Sequence, residues 1–336
     1  MQKTVFIWIF FCTLGVNLTG FAFYPNGFQS PLNVIAFGSC NRESLPQPLW
    51  PVIAENQPDL WIWCGDNIYG DSKEAAVIKD KYRRQFEQPD YAVFRRRFPI
   101  VGTWDDHDYG WNDATGSYPL KTVSQTLALD FMEVPENDPR RHRDGIYGAY
   151  DFGPDGQKIK VILLDNRYFS TLPDVEDPQL LGKTQREWLA ETLKKSAAQI
   201  NIIVSGTQVL SEDHTHEKWA NFPTERSWLL NFIREASIPG VIFISGDRHF
   251  HEISVLREMD APYPLLDITS SGLTHSWKNF KGEPNRHREG NVYSGLGFGM
   301  LRIDWKSQPV IVTAEIRNRS NQVMNAYQFS IEPESN

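Results

Sequence analysis

Cysteine is scarce in this sequence, which contains three, Cys12, Cys40 and Cys64, among 336 residues. A count this low excludes a small domain held together by several disulfides. Long apolar runs are scarce as well. After the N-terminal stretch, no segment reaches the roughly 18 apolar residues that a transmembrane helix needs. The mature chain is therefore predicted to have no integral membrane span.

Positive charge is in deficit, because 34 Lys and Arg face 42 Asp and Glu and give a formal net charge of −8. Proteins that bind polyanions through their overall field usually carry a basic face, so no nucleic-acid-binding face is evident. The basic cluster at 140–143 is interpreted as solvated surface, with steering of anions as the alternative. Composition is otherwise that of a globular protein.

The N-terminus has the pattern of an export signal. Lys3 precedes an apolar stretch at 5–16, and small residues follow up to Ala22. A basic residue, a short apolar segment and small residues at the cleavage site are typical of a secretory signal peptide. We predict a signal peptide over 1–22 and one mature domain over 23–336, which is periplasmic or secreted.

The order of apolar and amphipathic segments predicts an α/β fold. Amphipathic segments at 184–199 and 224–237, with Thr184 and Thr224 as N-caps, predict helices that cover a sheet. Alternating residues from 299 onward predict antiparallel strands. Buried strands are predicted where apolar runs end in polar residues, at 33–40, 60–66, 98–108, 158–167, 200–208, 240–251 and 265–272.

Polar residues concentrate where these runs end. Asp66 and Tyr69 follow one strand, the D-D-H-D segment at 105–108 follows another, and Asp247 and His249 follow a third. Ligands of open α/β sheets gather beyond the carboxyl ends of the strands, and crowded acids repel one another unless a cation lies between them. These residues predict a metal site. A helix cap at Asp66 and a structural Asp247–His249 pair are the alternatives.

The ordered set of segments carries a family resemblance. G-S-C, W-C-G-D-N-I-Y, T-W-D-D-H-D, L-D-N-R, S-G-T-Q and S-G-D-R-H follow one another from about Asn33. This order resembles the PhoD-like alkaline phosphatase D group of the metallophosphoesterase superfamily. The resemblance implies a four-layer α/β/β/α sandwich, a multinuclear metal site, and hydrolysis of phosphomonoesters or phosphodiesters.

The resemblance also implies which residues bind metal. It assigns Cys40, Asp66 and Tyr69 to Fe(III), with Asp66 bridging to a second metal. Ca²⁺ is the second ion reported in this family, and other divalent metals remain possible. The cluster is completed by three further residues, Asp106, Asp247 and His249.

Four positions depart from the wider superfamily. Cys40 stands where Asp-x-His is usual, Asp106 where an Asn is usual, and Asp247 and Gln208 where His is usual. Acids and amides in place of imidazoles favour hard cations such as calcium, whereas thiolate and phenolate favour a ferric ion.

The two cysteines beyond the signal peptide leave one question open. Cys40 and Cys64 end neighbouring strands, so a disulfide is geometrically possible and an exported protein permits it. Ligation of a metal by Cys40 excludes that bridge. We favour ligation because the surrounding segments match a metal site.

Catalytic roles are predicted for three residues. A metal-bound hydroxide or oxide is expected to attack phosphorus, so no covalent nucleophile is needed. His107 is predicted to act as an acid or to orient Asp106, with a purely supporting hydrogen bond as the alternative. Arg167 is predicted to clamp phosphate, the alternative being a buried pair with Asp165. Asn112 is predicted to contact phosphate or metal.

Three functions follow from these predictions. The first is an exported phosphatase or phosphodiesterase acting on a small phosphate ester. The second is a phospholipase-type phosphodiesterase acting on a phospholipid headgroup. The third is a non-catalytic exported protein whose acids bind calcium structurally, and it predicts closed coordination without an open ligand position. Catalysis by a cysteine nucleophile is a more distant alternative.

Overall fold

The computed structural model describes residues 29–257, 263–278, 280 and 282–331. The predicted signal peptide, residues 1–22, lies outside the described residues. Among the helices that the structure describes, none is both long enough and apolar enough to cross a membrane.

The described residues form thirteen strands in two sheets. The strands are β1 (Val34–Gly38), β2 (Leu60–Cys64), β3 (Ile100–Thr103), β4 (Gly148–Phe152), β5 (Ile159–Leu163), β6 (Ile200–Ser205), β7 (Val241–Ser245), β8 (His251–Leu256), β9 (Leu265–Ser270), β10 (Arg288–Tyr293), β11 (Gly297–Asp304), β12 (Val310–Asn318) and β13 (Val323–Ile331). The first sheet has the order β13-β12-β11-β1-β2-β3, and the second has the order β10-β8-β9-β7-β6-β5-β4.

Helices cover the outer faces of both sheets. They are α1 (Leu49–Glu55), α2 (Ala75–Glu87), α3 (Pro89–Phe94), α4 (Asp106–Tyr109), α5 (Lys121–Phe131), α6 (Gly182–Lys194) and α7 (Pro223–Glu235), with 3₁₀ turns at Pro139–Arg141 and Trp219–Asn221. Residues of α1, α2, α3 and α5 belong to the core on the outside of the first sheet, and residues of α6 and α7 belong to the core on the outside of the second.

Side-chain alternation along the strands explains the layers. In β2, Ile62 points into the core between the two sheets, whereas Trp61 and Trp63 point outward into the helix-covered core. In β6, Ile202 packs between the sheets and Ile203 packs under α6 and α7. Successive strand residues face opposite sides, so a fully apolar strand needs cover on both. The predicted four-layer α/β/β/α sandwich is confirmed.

Several predicted boundaries were wrong. The run at 240–251 forms two strands, β7 and β8, and the turn between them carries Asp247 and His249. Helix α6 begins two residues before Thr184, and α7 begins at Pro223, so neither predicted threonine occupies the N-cap position. Proline suits the first helical position because its missing N–H has no partner there.

The inter-sheet core yields a stability prediction. Ile202→Ala leaves a cavity between two closely packed sheets, and we expect it to lower the free energy of unfolding by about 2–5 kcal/mol. Val323→Ala is the control, because Val323 is 46% exposed, and it should cost less than about 1 kcal/mol. Urea unfolding of both variants measures the difference. Equal losses would contradict the assignment of the core.

Candidate metal centre

Four of the predicted metal ligands have a strained backbone in the turns that follow strands β1, β2 and β7. The φ angles are 57° at Cys40, 51° at Asp66, 68° at Asp247 and 56° at His249. Positive φ is uncommon for residues other than glycine, and such strain clusters at functional sites. Here all four residues lie in turns at the edge where the two sheets meet. A bridge between Ser39 and Ser271 joins the sheets at this edge.

Cys40, Asp66, Tyr69 and His249 form one group of donor atoms. The Cys40 Sγ lies 3.2 Å from Asp66 Oδ2, and the Tyr69 hydroxyl lies 3.3 Å from the same oxygen. The Tyr69 hydroxyl is also 3.0 Å from His249 Nε2. Donor atoms of Cys40, Asp66 and His249 all lie within 4.8 Å of one another. They are close enough to share one ion.

A second group lies beside the first and shares Asp66 with it. Donor atoms of Asp66, Asp106 and His107 lie within 4.8 Å of one another. Asp106 is fixed by two backbone bonds, because its Oδ1 accepts from the His107 N–H at 2.9 Å and its Oδ2 from the Asp113 N–H at 2.6 Å. Asp66, which belongs to both groups, is therefore placed as a carboxylate that could span two cations.

A third group adds two residues that the sequence did not single out. Asp113 and Glu217 lie with Asp106 in a set whose oxygen atoms are within 4.8 Å of one another. Neither follows a strand end. Glu217 pairs with Arg167. The sequence signal that could have pointed to Glu217 is Arg167 itself, because a buried guanidinium needs carboxylate partners.

Burial makes this centre electrostatically costly without cations. Burial raises the pKa of the Cys40 thiol to about 11. It also raises the pKa of Asp66 well above its usual value, helped by Cys40 and by the neighbouring aspartates. The pKa of Tyr69 rises for the same reasons. Nearby cations would reverse these shifts by favouring the charged forms.

Unpartnered oxygen atoms test whether the residues fit a metal. Among the described residues, the buried Oδ1 of Asp66 and Oδ2 of Asp247 have no hydrogen-bond partner. Leaving such atoms unsatisfied costs free energy, and a cation removes that cost. Asp247 Oδ2 is 3.7 Å from Arg248 Nη1, which is beyond hydrogen-bond distance. Thiol, phenol, imidazole and carboxylate groups together fit a pair of cations.

The disulfide alternative was wrong. Cys40 and Cys64 are both free and buried in the described part of the chain. The Cys40 thiol faces Asp66, whereas Cys64 belongs to the core between the sheets. The two side chains serve different parts of the fold.

Arg167 is buried and bonded to carboxylates. Its Nε donates to Asp105 Oδ1 at 2.6 Å, and its two Nη atoms donate to the Glu217 carboxylate at 2.9 and 2.7 Å. The predicted alternative, a guanidinium pair with Asp165, was wrong, because Asp165 instead accepts the backbone N–H of Arg167. A guanidinium has five N–H groups, so two remain beyond the three used in these bonds.

A cavity of about 520 Å³ lies beside the centre. His107, Asn112 and Arg167, the three predicted catalytic residues, all line it, together with Asp247 and His249. Exposed side chains such as Asn112 form part of the wall, so the cavity reaches solvent. The geometry brings these residues to one space beside the donor groups.

His107 is held by two contacts. Its Nδ1 lies 2.6 Å from Asp71 Oδ1, and its ring packs 4.1 Å from the Tyr69 ring. Burial opposes protonation, but the bond to Asp71 and the charge of Asp106 prevail and raise the pKa of His107.

Of three further histidines outside the predicted ligand set, one lies at the centre and two lie elsewhere. His275 Nε2 lies 2.9 Å from the Tyr69 hydroxyl, so it belongs to the centre. His214 Nε2 instead lies 3.0 Å from Gln208 Oε1, and His251 Nε2 lies 3.1 Å from the Gly295 carbonyl. Gln208 donates to Glu252 and Thr269. Gln208 and His251 therefore do not join the centre, although both follow predicted strands.

Two comparisons of the sequence with known proteins agree with each other. A family model described as PhoD-like phosphatase matches residues 35–291. Alkaline phosphatase D of Bacillus subtilis (strain 168) is 24% identical over 280 residues, covering 66% of this chain and 47% of that protein. The chain thus spans about half the length of this curated relative.

Solved structures share the fold at low identity. The structure of PhoD matches with a TM-score of 0.72 and 17% identity, over 91% of this chain and 71% of that one. GAP50, the anchor in the inner membrane complex of Plasmodium, matches with a TM-score of 0.56 and 13% identity, over 90% of each chain. A dimetal phosphatase from Danio rerio matches with a TM-score of 0.51 and 12% identity, over 90% of this chain and 99% of that one.

Proposed function

Because the chain belongs to the PhoD-like phosphatase family, we propose that it is an exported, metal-dependent hydrolase of phosphate esters. The observation that carries the proposal is the pair of donor groups that share Asp66 beside an accessible cavity. Export rests on the signal-peptide pattern at 1–22. A substrate of this class is a small anionic ester that fits beside the centre.

The donor set suggests which residues hold which ion. Cys40, Tyr69 and His249 would hold Fe(III) together with Asp66, because thiolate and phenolate suit a ferric ion. Asp66 and Asp106 would hold a harder cation such as Ca²⁺, which takes carboxylate oxygens. Asp247 remains a proposed ligand because its Oδ2 has no hydrogen-bond partner among the described residues and because Asp106 lies near enough to help raise the pKa of its buried carboxyl. Bound cations would supply Lewis-acid stabilisation of the phosphoryl group and activation of water.

The chain's own residues would position the substrate. Arg167 lines the cavity, and we propose that its two remaining N–H groups donate to phosphate oxygens. Asn112 lies on the exposed wall, where we propose a contact with the substrate or a cation. The cavity favours catalysis over purely structural calcium binding, since a structural site is closed.

We propose that His107, although it lies within reach of Asp66 and Asp106, is not a metal ligand and donates a proton to the leaving oxygen. Asp71 fixes its Nδ1, which leaves Nε2 for the cavity side. His107→Asn should therefore slow esters with basic leaving groups, such as glycerol phosphate, about 10²-fold or more. p-Nitrophenyl phosphate, whose leaving group needs no proton, should lose much less. Equal losses for both esters would contradict the role of proton donor.

A phospholipid phosphodiesterase is the second candidate. Leu172 and Trp277 both line the cavity and are 55% and 46% exposed. Exposed apolar groups beside the cavity suit a substrate with a bulky ester substituent better than they suit a bare phosphomonoester.

Elemental analysis combined with ester hydrolysis tests the proposed function. The purified protein should contain metal and hydrolyse p-nitrophenyl phosphate, bis-p-nitrophenyl phosphate or phosphatidylcholine vesicles. A chelator should abolish that activity while circular dichroism still reports a folded protein. Hydrolysis that persists in demonstrably metal-free protein would contradict the proposal.

A further inference from the structure

Two buried hydrogen-bond donors beside the proposed phosphate site have no partner. They are Nδ2 of Asn166 and Oγ1 of Thr207, and none of the described residues bonds either atom. Asn166 is fully buried and Thr207 is 3% exposed. Both residues line the cavity that contains Arg167 and His107. An unsatisfied buried donor is unfavourable, so a group entering the cavity is the natural partner.

The orientation of the Asn166 amide is fixed by its neighbours. Its Oδ1 accepts the Gly206 N–H at 2.8 Å and lies 2.9 Å from the Ser205 hydroxyl. A backbone N–H needs an acceptor, so the oxygen cannot exchange places with the nitrogen. The Nδ2 group is therefore left as a donor that the protein positions but does not use.

Packing holds both donors in place. Thr207 follows Gly206, and a Cβ added at Gly206 would come within 2.4 Å of Asp105 Oδ1. The backbone at Gly206, just after β6, therefore lies close against the carboxylate that pairs with Arg167. The Ser205 hydroxyl accepts from Trp219 Nε1 at 2.9 Å, which anchors the same turn from the other side. These contacts fix the turn that precedes Thr207 and that holds the Asn166 amide through the Gly206 N–H.

A third unpaired donor belongs to a residue that lines the same cavity. Arg248 Nε is buried and unbonded within the described ranges, although its Nη2 donates to both oxygens of Glu283 at 2.8 and 2.9 Å. Arg248 also lines the cavity. The wall thus offers an amide, a hydroxyl and a guanidinium N–H, and all three can donate to an oxyanion.

We propose that Asn166 and Thr207, with Arg248 beside them, form an oxyanion pocket that binds the non-bridging oxygens of the phosphoryl group. The inference rests on the proposed function and assigns residues for which that function gave no role. Preorganised neutral donors stabilise developing charge without reorganising. They also supply contacts that Arg167 lacks, because Asp105 and Glu217 already use three of its N–H groups.

Isosteric variants separate binding from folding. Asn166→Asp keeps an oxygen for the Gly206 N–H but replaces the donor with a carboxylate oxygen. Thr207→Val keeps the shape and removes the hydroxyl. The control is Thr215→Val, because Thr215 lines the same cavity and is exposed.

Inorganic phosphate binding to the metal-loaded protein is measured by isothermal titration calorimetry. We expect roughly tenfold weaker binding for Thr207→Val and about 100-fold weaker binding for Asn166→Asp, with no change for Thr215→Val. The kcat for p-nitrophenyl phosphate should fall with the affinity in the first two variants. The melting temperature of metal-free Thr207→Val should be unchanged or higher, since an unpaired buried hydroxyl is removed.

The outcomes distinguish the pocket from the proposed function. A parent protein that hydrolyses esters and binds phosphate, with variants that match it, overturns the pocket alone. A drop of several degrees in the melting temperature of Thr207→Val also overturns it, because the hydroxyl would then be structural. If the parent hydrolyses no ester but binds phosphate in an Asn166- and Thr207-dependent way, the pocket stands and the proposed function fails. A parent that does not bind phosphate overturns the pocket.

Discussion

Asp66→Asn is expected to lower kcat/KM for phosphate esters roughly a thousandfold, or by ~4 kcal/mol of transition-state stabilisation. Asp66 is the residue that both principal donor groups share. Its Oδ2 lies 3.2 Å from Cys40 Sγ, and its Oδ1 has no partner among the described residues. An amide carries no charge and offers one acceptor oxygen, so it cannot bridge two cations.

The same substitution should leave the metal-free fold intact. Burial and the charges of Cys40, Asp106 and two further aspartates raise the pKa of Asp66, so the carboxylate is unfavourable when no cation balances it. Metal-free Asp66→Asn should melt at or above the temperature of the metal-free parent. Metal content, kcat/KM and melting curves test this together. Asp130→Asn is the control, because that side chain is 56% exposed, and Asp66→Asn activity within tenfold of the parent would contradict the bridge.

Arg167→Met is expected to lower the free energy of unfolding by about 3–5 kcal/mol, because it leaves a buried charge without its partner. The stranded group is Asp105, whose side chain is fully buried and bonded to Arg167 Nε at 2.6 Å. Arg84→Met is the matched control. Its ion pair with Asp80 is solvent-exposed, and its loss should cost less than about 1 kcal/mol.

A double variant separates stability from catalysis. Asp105→Asn combined with Arg167→Met removes both charges, so much of the lost stability should return. Activity should remain low in this stable variant if Arg167 contacts phosphate. Guanidinium chloride unfolding and kcat/KM are the two measurements. A single Arg167→Met variant within 1 kcal/mol of the parent would contradict the buried pair.

The four layers of the fold were predictable because the hydrophobic pattern of each segment determines how many of its faces must be covered. Runs such as 200–208 are apolar on both faces, and such strands need cover on both. The strands β4 and β10 were missed because neither contains a continuous apolar run. Gly148–Phe152 alternates buried with exposed residues, and Arg288–Tyr293 is half-buried or exposed throughout. Cap positions were missed because packing sets where α6 begins, whatever the local preference of Thr184.

The predicted site residues came from strand ends, and this rule has a limited reach. It found Cys40, Asp66 and Asp247 because the carboxyl ends of parallel strands meet at one edge. It could not find Glu217 or Asp113, which reach the centre from loops. Loop paths depend on long-range packing that no local pattern encodes. Gln208 ends the predicted strand at 200–208, but its amide is used by other buried polar groups.

Anomalous X-ray diffraction at the iron absorption edge tests the central claim most directly. Crystals of the purified protein should show an anomalous peak within coordination distance of Cys40 Sγ, the Tyr69 oxygen and an Asp66 oxygen. A second ion should lie on the Asp106 side of the same carboxylate. A catalytically active crystal form in which those atoms contact no ion would contradict the account.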